Sequence, residues 1–579
     1  MIYDRSKIQR TKLQQFYRFI RRSDTAFLLI FAVLTGVGAG YGAVVFRWLI
    51  HLITRVFFDG GKSVFSFLNG YYILIIPAIG GLFVGIITYF LAPETKGHGV
   101  PEVMLAIDKE GGRIRFRVAL IKAIVSSLSI GSGGSVGREG PIVQIGSSLG
   151  SSMGQIFSLS KEKIKILVAC GAGGGIAATF NAPLAGIFFA LEVILRDYSP
   201  RHISSIVLSS VIATVVARAY LGNVPAFDIP AYQMHSAWDI LFYMVFGLFA
   251  AGAGFLFMRL LYRTEDLFEI IPLPKYLYPA IGGLMVGGIG LYYPQVFGVG
   301  YETIELALYG NITIVLAFVL LFAKLIATSL TLGSGGSGGV FAPSLFMGAM
   351  LGVAFSKVTL LVLPNAGIEP GACALIGMAA VFAAAANAPI SAILFLFELT
   401  GDYKIILPLM AAVVIAYLFI RQLSSESIYT LKLVRRGFGI KSRKRSDLLE
   451  YIIVEEAMCR NVITIRDDQA VVEAGLLIRD TRHRGFPVVD RNNMLCGMIT
   501  HEDINEAMAK GLKDNPIREV MTKEVIICNP DDNLRQVLEK LGTKNIGRSP
   551  VIDPKYPGTI VGIITRKNII SAINQVIGK

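Results

Sequence analysis

Apolar residues fill most of the chain between residues 26 and 421, yet many of the runs they form are unlike simple spans. The first, residues 26–58, is long enough to cross a bilayer with tilt, which takes about 20 apolar residues. Later runs such as IVQIGSSLGSSMGQIF and PISAILFLFELTG are short and interrupted by Gly, Pro or Ser. Irregular backbone at membrane depth is tolerated only where protein or a water-filled cavity covers it, because lipid offers no hydrogen-bond partners. The pattern predicts an all-α polytopic membrane domain of broken and tilted helices over residues 25–431. From residue 447 to 579 short β-branched strands alternate with amphipathic helices, which predicts a cytosolic α/β unit.

The membrane stretch is written twice. PAIGGLFVG begins at Pro77 and PAIGGLMVG at Pro279, 202 residues on. GSGGSVGREGP at Gly131 and GSGGSGGVFAP at Gly333 keep the same offset of 202. GHG at Gly97 faces GVG at Gly298, and FNAPLAGIFFALE faces ANAPISAILFLFE with Asn181 opposite Asn387. Four blocks in one order at nearly one offset predict an internal duplication, about residues 25–220 and 236–431. If each half crosses an odd number of times, the halves are inverted relative to each other.

Composition agrees: 53% of the 579 residues are hydrophobic and 17% charged, against about 25% charged in an ordinary soluble domain. The net charge of +14 is concentrated beside apolar runs, in a basic N-terminal segment (residues 1–24) and a basic linker (residues 432–446). Basic flanks stay on the cytoplasmic side, so both termini are placed there and no nucleic-acid partner is expected. The five cysteines show no paired spacing, so neither a disulfide framework nor a zinc site is expected. The N-terminus has no pattern of a cleaved signal peptide, and a prokaryotic inner membrane is the expected location.

Glycine-rich breaks at 97–101, 131–141 and 333–343 each precede an apolar run and so can supply helix N-termini. Such ends carry unpaired N–H groups and partial positive charge, and several converging at the midplane hold an anion without a full cationic charge. Within these breaks, GHGVPEV, GREGPIVQIG and GGVFAPSLFMG, with the later SIYTLKL, resemble the signature blocks of the CLC chloride channels and proton-coupled chloride transporters. The resemblance spans about residues 25–435. It implies a homodimer in the bilayer with a separate pore per subunit, carrying chloride or a similar anion. It further implies an anion held by backbone amides near Val340 and Phe341, by the Tyr429 hydroxyl and by the helix end at His98 and Gly99. Glu139 would be the gate, supported by Lys122, Arg138, Gly137, Gly140 and Pro141. A carboxylate is a tethered anion that can occupy a permeant ion's place. An intramembrane carboxylate costs about 2.5 kcal/mol or more, so function is its default reading. The alternative is a structural ion pair with Arg138 or Lys122; Arg138 itself reads as a brace for the loop.

Two positions depart from that family. His98 stands where serine is usual: either its imidazole N–H serves the anion, or the side chain points away and only the helix end contributes. Val193 stands where coupled transporters usually carry a second, inward glutamate. Valine cannot relay a proton, so the sequence leans toward a channel or uncoupled pathway, with a proton-coupled chloride antiporter as the alternative. Glu192 and Glu398 occupy matching places in the two halves, which argues for structural roles such as capping a helix end.

The tail repeats itself, at about 451–510 and 515–577, and resembles a CBS domain pair. By that resemblance Thr500 and Asp503, with Thr565 and Asn568, are candidate phosphate and ribose contacts for an adenine nucleotide; otherwise the tail stabilises a dimer. No cofactor is required by this reading. HEDIN at His501 lacks the second histidine of a zinc protease and no Walker motif occurs, so no enzyme is expected. A CBS-regulated divalent cation channel is the rival class. It would line its path with carboxylates, and the apolar runs hold few besides Glu139, Glu192 and Glu398.

Overall fold

The computed structural model describes residues 24–577, except 65–66, 68–69, 224–226, 228, 231, 233–237, 402, 439–448, 450–451, 482 and 545. The basic segment 1–24 and most of the basic linker 432–446 therefore lie outside the described residues, apart from Asp24 and residues 432–438. The chain divides into two units, Met1–Phe438 and Gly439–Lys579.

The first unit is helical: α1 (Asp24–Thr54), α2 (Tyr72–Phe90), α3 (Val100–Lys109), α4 (Phe116–Gly131), α5 (Glu139–Ile156), α6 (Lys161–Phe180), α7 (Pro183–Phe189) and α8 (Pro200–Leu221) form its first half. The second half holds α9 (Asp239–Ile270), α10 (Tyr278–Tyr292), α11 (Tyr301–Leu308), α12 (Ile314–Gly333), α13 (Phe341–Val362), α14 (Pro370–Ala386), α15 (Pro389–Thr400), α16 (Ile406–Leu423) and α17 (Thr430–Arg435). Among the described residues eight helices are long and apolar enough to cross a membrane, and shorter apolar ones such as Pro370–Ala386 lie between them. The breaks have local causes. Asn181 and Asn387 end α6 and α14 in the left-handed conformation, and Pro183 and Pro389 each open the next helix. Asparagine tolerates that conformation, and proline at a helix start gives up an N–H that would have no partner there.

Packing repeats the duplication. A Cβ on Gly81 of α2 would sit 2.1 Å from the Pro279 carbonyl oxygen, and one on Gly283 of α10 would sit 2.1 Å from that of Pro77. Within each half a further close crossing is glycine on glycine, Gly146 against Gly171 and Gly348 against Gly377. Small residues let helix backbones touch where apolar lipid gives no hydrophobic drive to associate.

The second unit contains β1 (Ile465–Arg466), α18 (Val471–Thr481), β2 (Gly485–Val489), β3 (Leu495–Thr500) and α19 (His501–Ala509). It continues with α20 (Leu534–Thr543), β4 (Arg548–Ile552), β5 (Ile560–Thr565) and α21 (Arg566–Ile577). β1 runs parallel to β2, and β2 antiparallel to β3 with Phe486 opposite Ile499. β4 pairs antiparallel with β5, Ser549 opposite Ile564, and both hairpins carry an irregularity at matching places. The two copies exchange their leading segments. Ile452 and Val454 pack with Leu534, Val551 and Ile564, while Ile517 packs with Phe486, Val488 and Ile499. Each packed core thus draws on both sequence copies.

Candidate functional site

Two glycine loops, one from each half, are stitched together and aim their helices inward. The Gly137 N–H donates to the Gly339 carbonyl at 2.8 Å, and the Gly339 N–H donates back at 2.6 Å. The Gly97 N–H donates to Gly336, and the Gly338 N–H to Gly97. Side chains of the same polar seam close the gap: Ser337 Oγ donates to the Thr95 carbonyl at 3.0 Å and lies 2.9 Å from Ser126 Oγ. A Cβ on Gly140 would meet the His98 carbonyl at 2.2 Å, and one on Gly137 would meet Glu139 Oε2 at 2.1 Å. Only glycine permits this approach of α3, α5 and α13 through their N-terminal ends. Pro141 sits in the first turn of α5, where its missing N–H leaves no helix bond unmade.

Buried lysines hold the loops from behind. Lys122 Nζ donates to the carbonyls of Thr95 and Gly97 at 2.9 and 2.8 Å. Lys324, 202 residues on, donates to Val296 and Gly298 at 2.9 and 2.8 Å. Lys122 is therefore spent on the loop carbonyls ahead of α3.

Glu139, the first residue of α5, is 1% exposed. Its Oε1 accepts from the Tyr301 hydroxyl at 2.9 Å, and its Oε2 accepts a longer bond from the Ala342 N–H at 3.4 Å. Ala342 lies in the first turn of α13, between the expected anion contacts at Val340 and Phe341 and the helix body. A carboxylate from one half thus rests on a helix N-terminus of the other, where the dipole and free N–H groups favour negative charge. Arg138 precedes it; its guanidinium carbon is 4.9 Å from the Tyr301 ring centre, and its buried Nε has no hydrogen-bond partner.

His98 is buried beside the N-cap Gly99 of α3, whose φ of +79° suits glycine. His98 Nε2 is 3.5 Å from the Tyr262 hydroxyl, and the ring is 5.9 Å from that of Tyr429, also buried. His98 Nδ1 is buried without a hydrogen-bond partner. Tyr262 donates to the Ile428 carbonyl and so ties α9 to the segment bearing Tyr429. Phe341 points its ring into an aromatic cluster with Phe382 and Phe395, at 4.3 and 4.8 Å, which leaves its backbone to face the site. The structure thus joins two clusters: Glu139 with Ala342 and Tyr301, and His98 with Tyr429 and Tyr262.

Glu192 and Glu398 do something else. Glu192 accepts from the N–H groups of Ile390 and Ser391 at 3.2 and 2.7 Å, capping α15. Glu398 accepts from those of Leu184 and Ala185 at 3.1 and 2.9 Å, capping α7. Val193 is buried beside Glu192 in the π-helical turn that follows α7.

In the tail, Thr500 Oγ accepts from the Asp503 N–H, and Asp503 accepts from the Thr500 N–H and hydroxyl, a closed capping box at the start of α19. Asn568 holds Thr565 in the same way at the second copy. A cavity of about 770 Å³ opens nearby, within the range of small-molecule sites. Of the four expected nucleotide contacts, Thr500 lines it, together with His483, Arg484, His501 and Arg548. Burial, and then the neighbouring Arg484, lower the Arg548 pKa from its ordinary value.

Sequence reasoning missed Tyr301, Tyr262 and Lys324. The one readable trace of Tyr301 was its place after GVG, where the first half has Val100 after GHG.

The family model described as voltage gated chloride channel matches residues 80–421, and that of the CBS domain matches 454–510 and 517–575. The chain is 33% identical to the H(+)/Cl(-) exchange transporter ClcA of Vibrio parahaemolyticus, over 75% of this chain and 95% of that one. It is 30% identical to chloride channel protein CLC-f of Arabidopsis thaliana, over 91% of this chain and 77% of that one. Among solved structures, a slow cyanobacterial Cl-/H+ antiporter superposes with a TM-score of 0.65 at 25% identity, covering 71% of this chain and 97% of the other. A eukaryotic CLC transporter, at 22% identity and a TM-score of 0.60, shares the fold across 93% of this chain and 97% of its own.

Proposed function

That the chain belongs to the voltage gated chloride channel family, an anion-transporting family, with a CBS pair behind its membrane unit, is the premise from which we propose that it exchanges chloride or a similar anion for protons under the gate of Glu139. The observation that carries this reading is the Glu139 carboxylate lying on the N-terminus of α13. There it fills the place where free N–H groups of one half meet a loop of the other, so carboxylate and permeant anion compete for the same donors. An arriving anion displaces the ionised side chain; a proton removes its charge and with it the reason to stay. One group thereby links anion and proton.

The relatives named H(+)/Cl(-) exchange transporters, and the antiporter among the structural neighbours, favour coupling over the channel expected from the sequence. A second reading, uncoupled chloride flow, rests on Val193, a buried side chain without a proton to give. The family assigns an anion, not a divalent cation, to the path. The same reading gives a homodimer in a bacterial inner membrane, with both termini cytoplasmic and an adenine nucleotide in the tail cavity.

Purified protein in liposomes, with chloride efflux and proton movement recorded together, tests it. A chloride gradient is expected to drive protons uphill. Glu139→Gln is expected to abolish that movement while chloride flux persists and loses its pH dependence. Chloride flow that never moves protons would leave the uncoupled reading, and a Glu139→Gln protein with unchanged pH dependence would remove the gate.

A further inference from the structure

We propose that Tyr301 is a positioning residue that latches the gate: its hydroxyl holds the Glu139 carboxylate over α13, and opening requires that bond to break. This rests on the reading of Glu139 as the gate.

The two hydrogen bonds on Glu139 are unequal. The Ala342 N–H reaches Oε2 at 3.4 Å, whereas the Tyr301 hydroxyl reaches Oε1 at 2.9 Å. A bond to an ionised acceptor is among the strong ones, and the shorter contact carries more of it. Tyr301 is itself held on both sides. Its ring packs 4.7 Å from that of Phe227 and lies under the Arg138 guanidinium. The loop that delivers it is fastened by Lys324 at Val296 and Gly298, and Gly300 takes a φ of +83° just before it. A fixed hydroxyl of this kind selects one conformation of a mobile side chain.

Charged groups surround it on the side away from the gate. Tyr301 and Arg138 line a cavity of about 340 Å³ with Arg47, His51 and Arg218, opposed by Glu302 and Glu305. Arg138 Nε is buried without a partner among these groups. Tyr301 thus stands between a cavity rich in basic side chains and the gate carboxylate. The charged or titratable groups around Glu139 are Arg138 just ahead of its helix, Tyr301 on α11, Lys324 on α12 and Tyr429 ahead of α17, and Arg138 in turn acts on Arg47 and His51 on α1.

The test compares wild type, Tyr301→Phe, Glu139→Gln and the double variant for chloride flux in liposomes between pH 5 and 8. Phenylalanine keeps the ring and removes the donor. Tyr301→Phe is expected to raise flux at pH 7 about fivefold or more, since bonds to charged groups are the strong class. The pH at which acid opens the gate should rise, because the ionised carboxylate has lost a donor that favours it. In the Glu139→Gln background the same change is expected to do nothing. Flux and pH profile unchanged in Tyr301→Phe, while Glu139→Gln still opens the pathway, would overturn the latch and leave the gate standing. An equal effect in both backgrounds would also overturn it, as a structural effect of the ring's environment. Glu139→Gln without effect would strike the gate itself. Should Tyr301→Phe not fold, 3-fluorotyrosine at position 301 offers a stronger donor of nearly the same size. It is then expected to lower flux, and an increase or no change overturns the latch.

Discussion

His98 Nδ1 is a buried polar atom with nothing to bond, in a protein that pairs most of its buried polar groups. Its ring lies near that of Tyr429, the other expected anion contact, and its Nε2 already faces Tyr262. A buried ring nitrogen with no partner fits the reading in which the imidazole serves the anion. His98→Ala is therefore expected to weaken chloride binding about tenfold, the scale of one hydrogen bond to a charged partner. Isothermal titration of the purified protein checks it; unchanged affinity would mean that the helix end alone contributes. At this scale Glu139 and His98 stand out in the sequence as polar side chains inside glycine-rich blocks, whereas Val340 and Tyr429 were reached only through the family resemblance. Tyr301 was not legible. Its role comes from a partner 162 residues away, and a tyrosine in an apolar chain announces nothing until the two halves meet.

Among elements, the short helices are where the two halves depend on each other. Glu192 of the first half caps α15 of the second, and Glu398 of the second caps α7 of the first. A capped N-terminus away from water loses its N–H partners when the carboxylate goes, and each unpaired N–H costs roughly 1–3 kcal/mol. Glu192→Ala is expected to lower the melting temperature in detergent by several degrees while leaving the ratio of chloride to protons unchanged. A changed ratio at unchanged stability would instead give Glu192 a place in the proton path. The duplicated blocks made this pairing visible in outline, since Glu192 and Glu398 are 206 residues apart in matching sequence. Which helix each one caps was not visible, because the exchange crosses between halves. The same limit held in the tail, where each copy's leading segment packs into the other copy's core.

For the whole molecule, the same device appears twice: a duplicated unit closing on itself by exchange of contacts where its copies meet. In the membrane unit, backbone amides and the Glu139 carboxylate come together at that meeting place. In the tail a cavity there is lined by His483, Arg484, His501 and Arg548, with Glu502 and Glu524 among the opposing acids. Arg548 donates to the Gly485 carbonyl across the copies, and Arg484 acts on it as a like charge. Two guanidinium groups held near each other repel unless an anion joins them, and a phosphate chain suits a planar, forked donor. The cavity is also large enough for a nucleoside. Binding to the folded state alone raises stability by mass action. ATP at 100 times its dissociation constant is thus expected to stabilise the full chain by about 2.7 kcal/mol against unfolding of the tail. Arg484→Gln removes a charge and spares the Arg548 bond to Gly485, so it should weaken nucleotide binding about tenfold without unfolding the tail. Labelled ATP, ADP and AMP titrated against the purified full chain separate the cases. Binding that Arg484→Gln does not touch would place the phosphates elsewhere, and no binding of any of the three would leave the tail as a stabiliser of the proposed dimer.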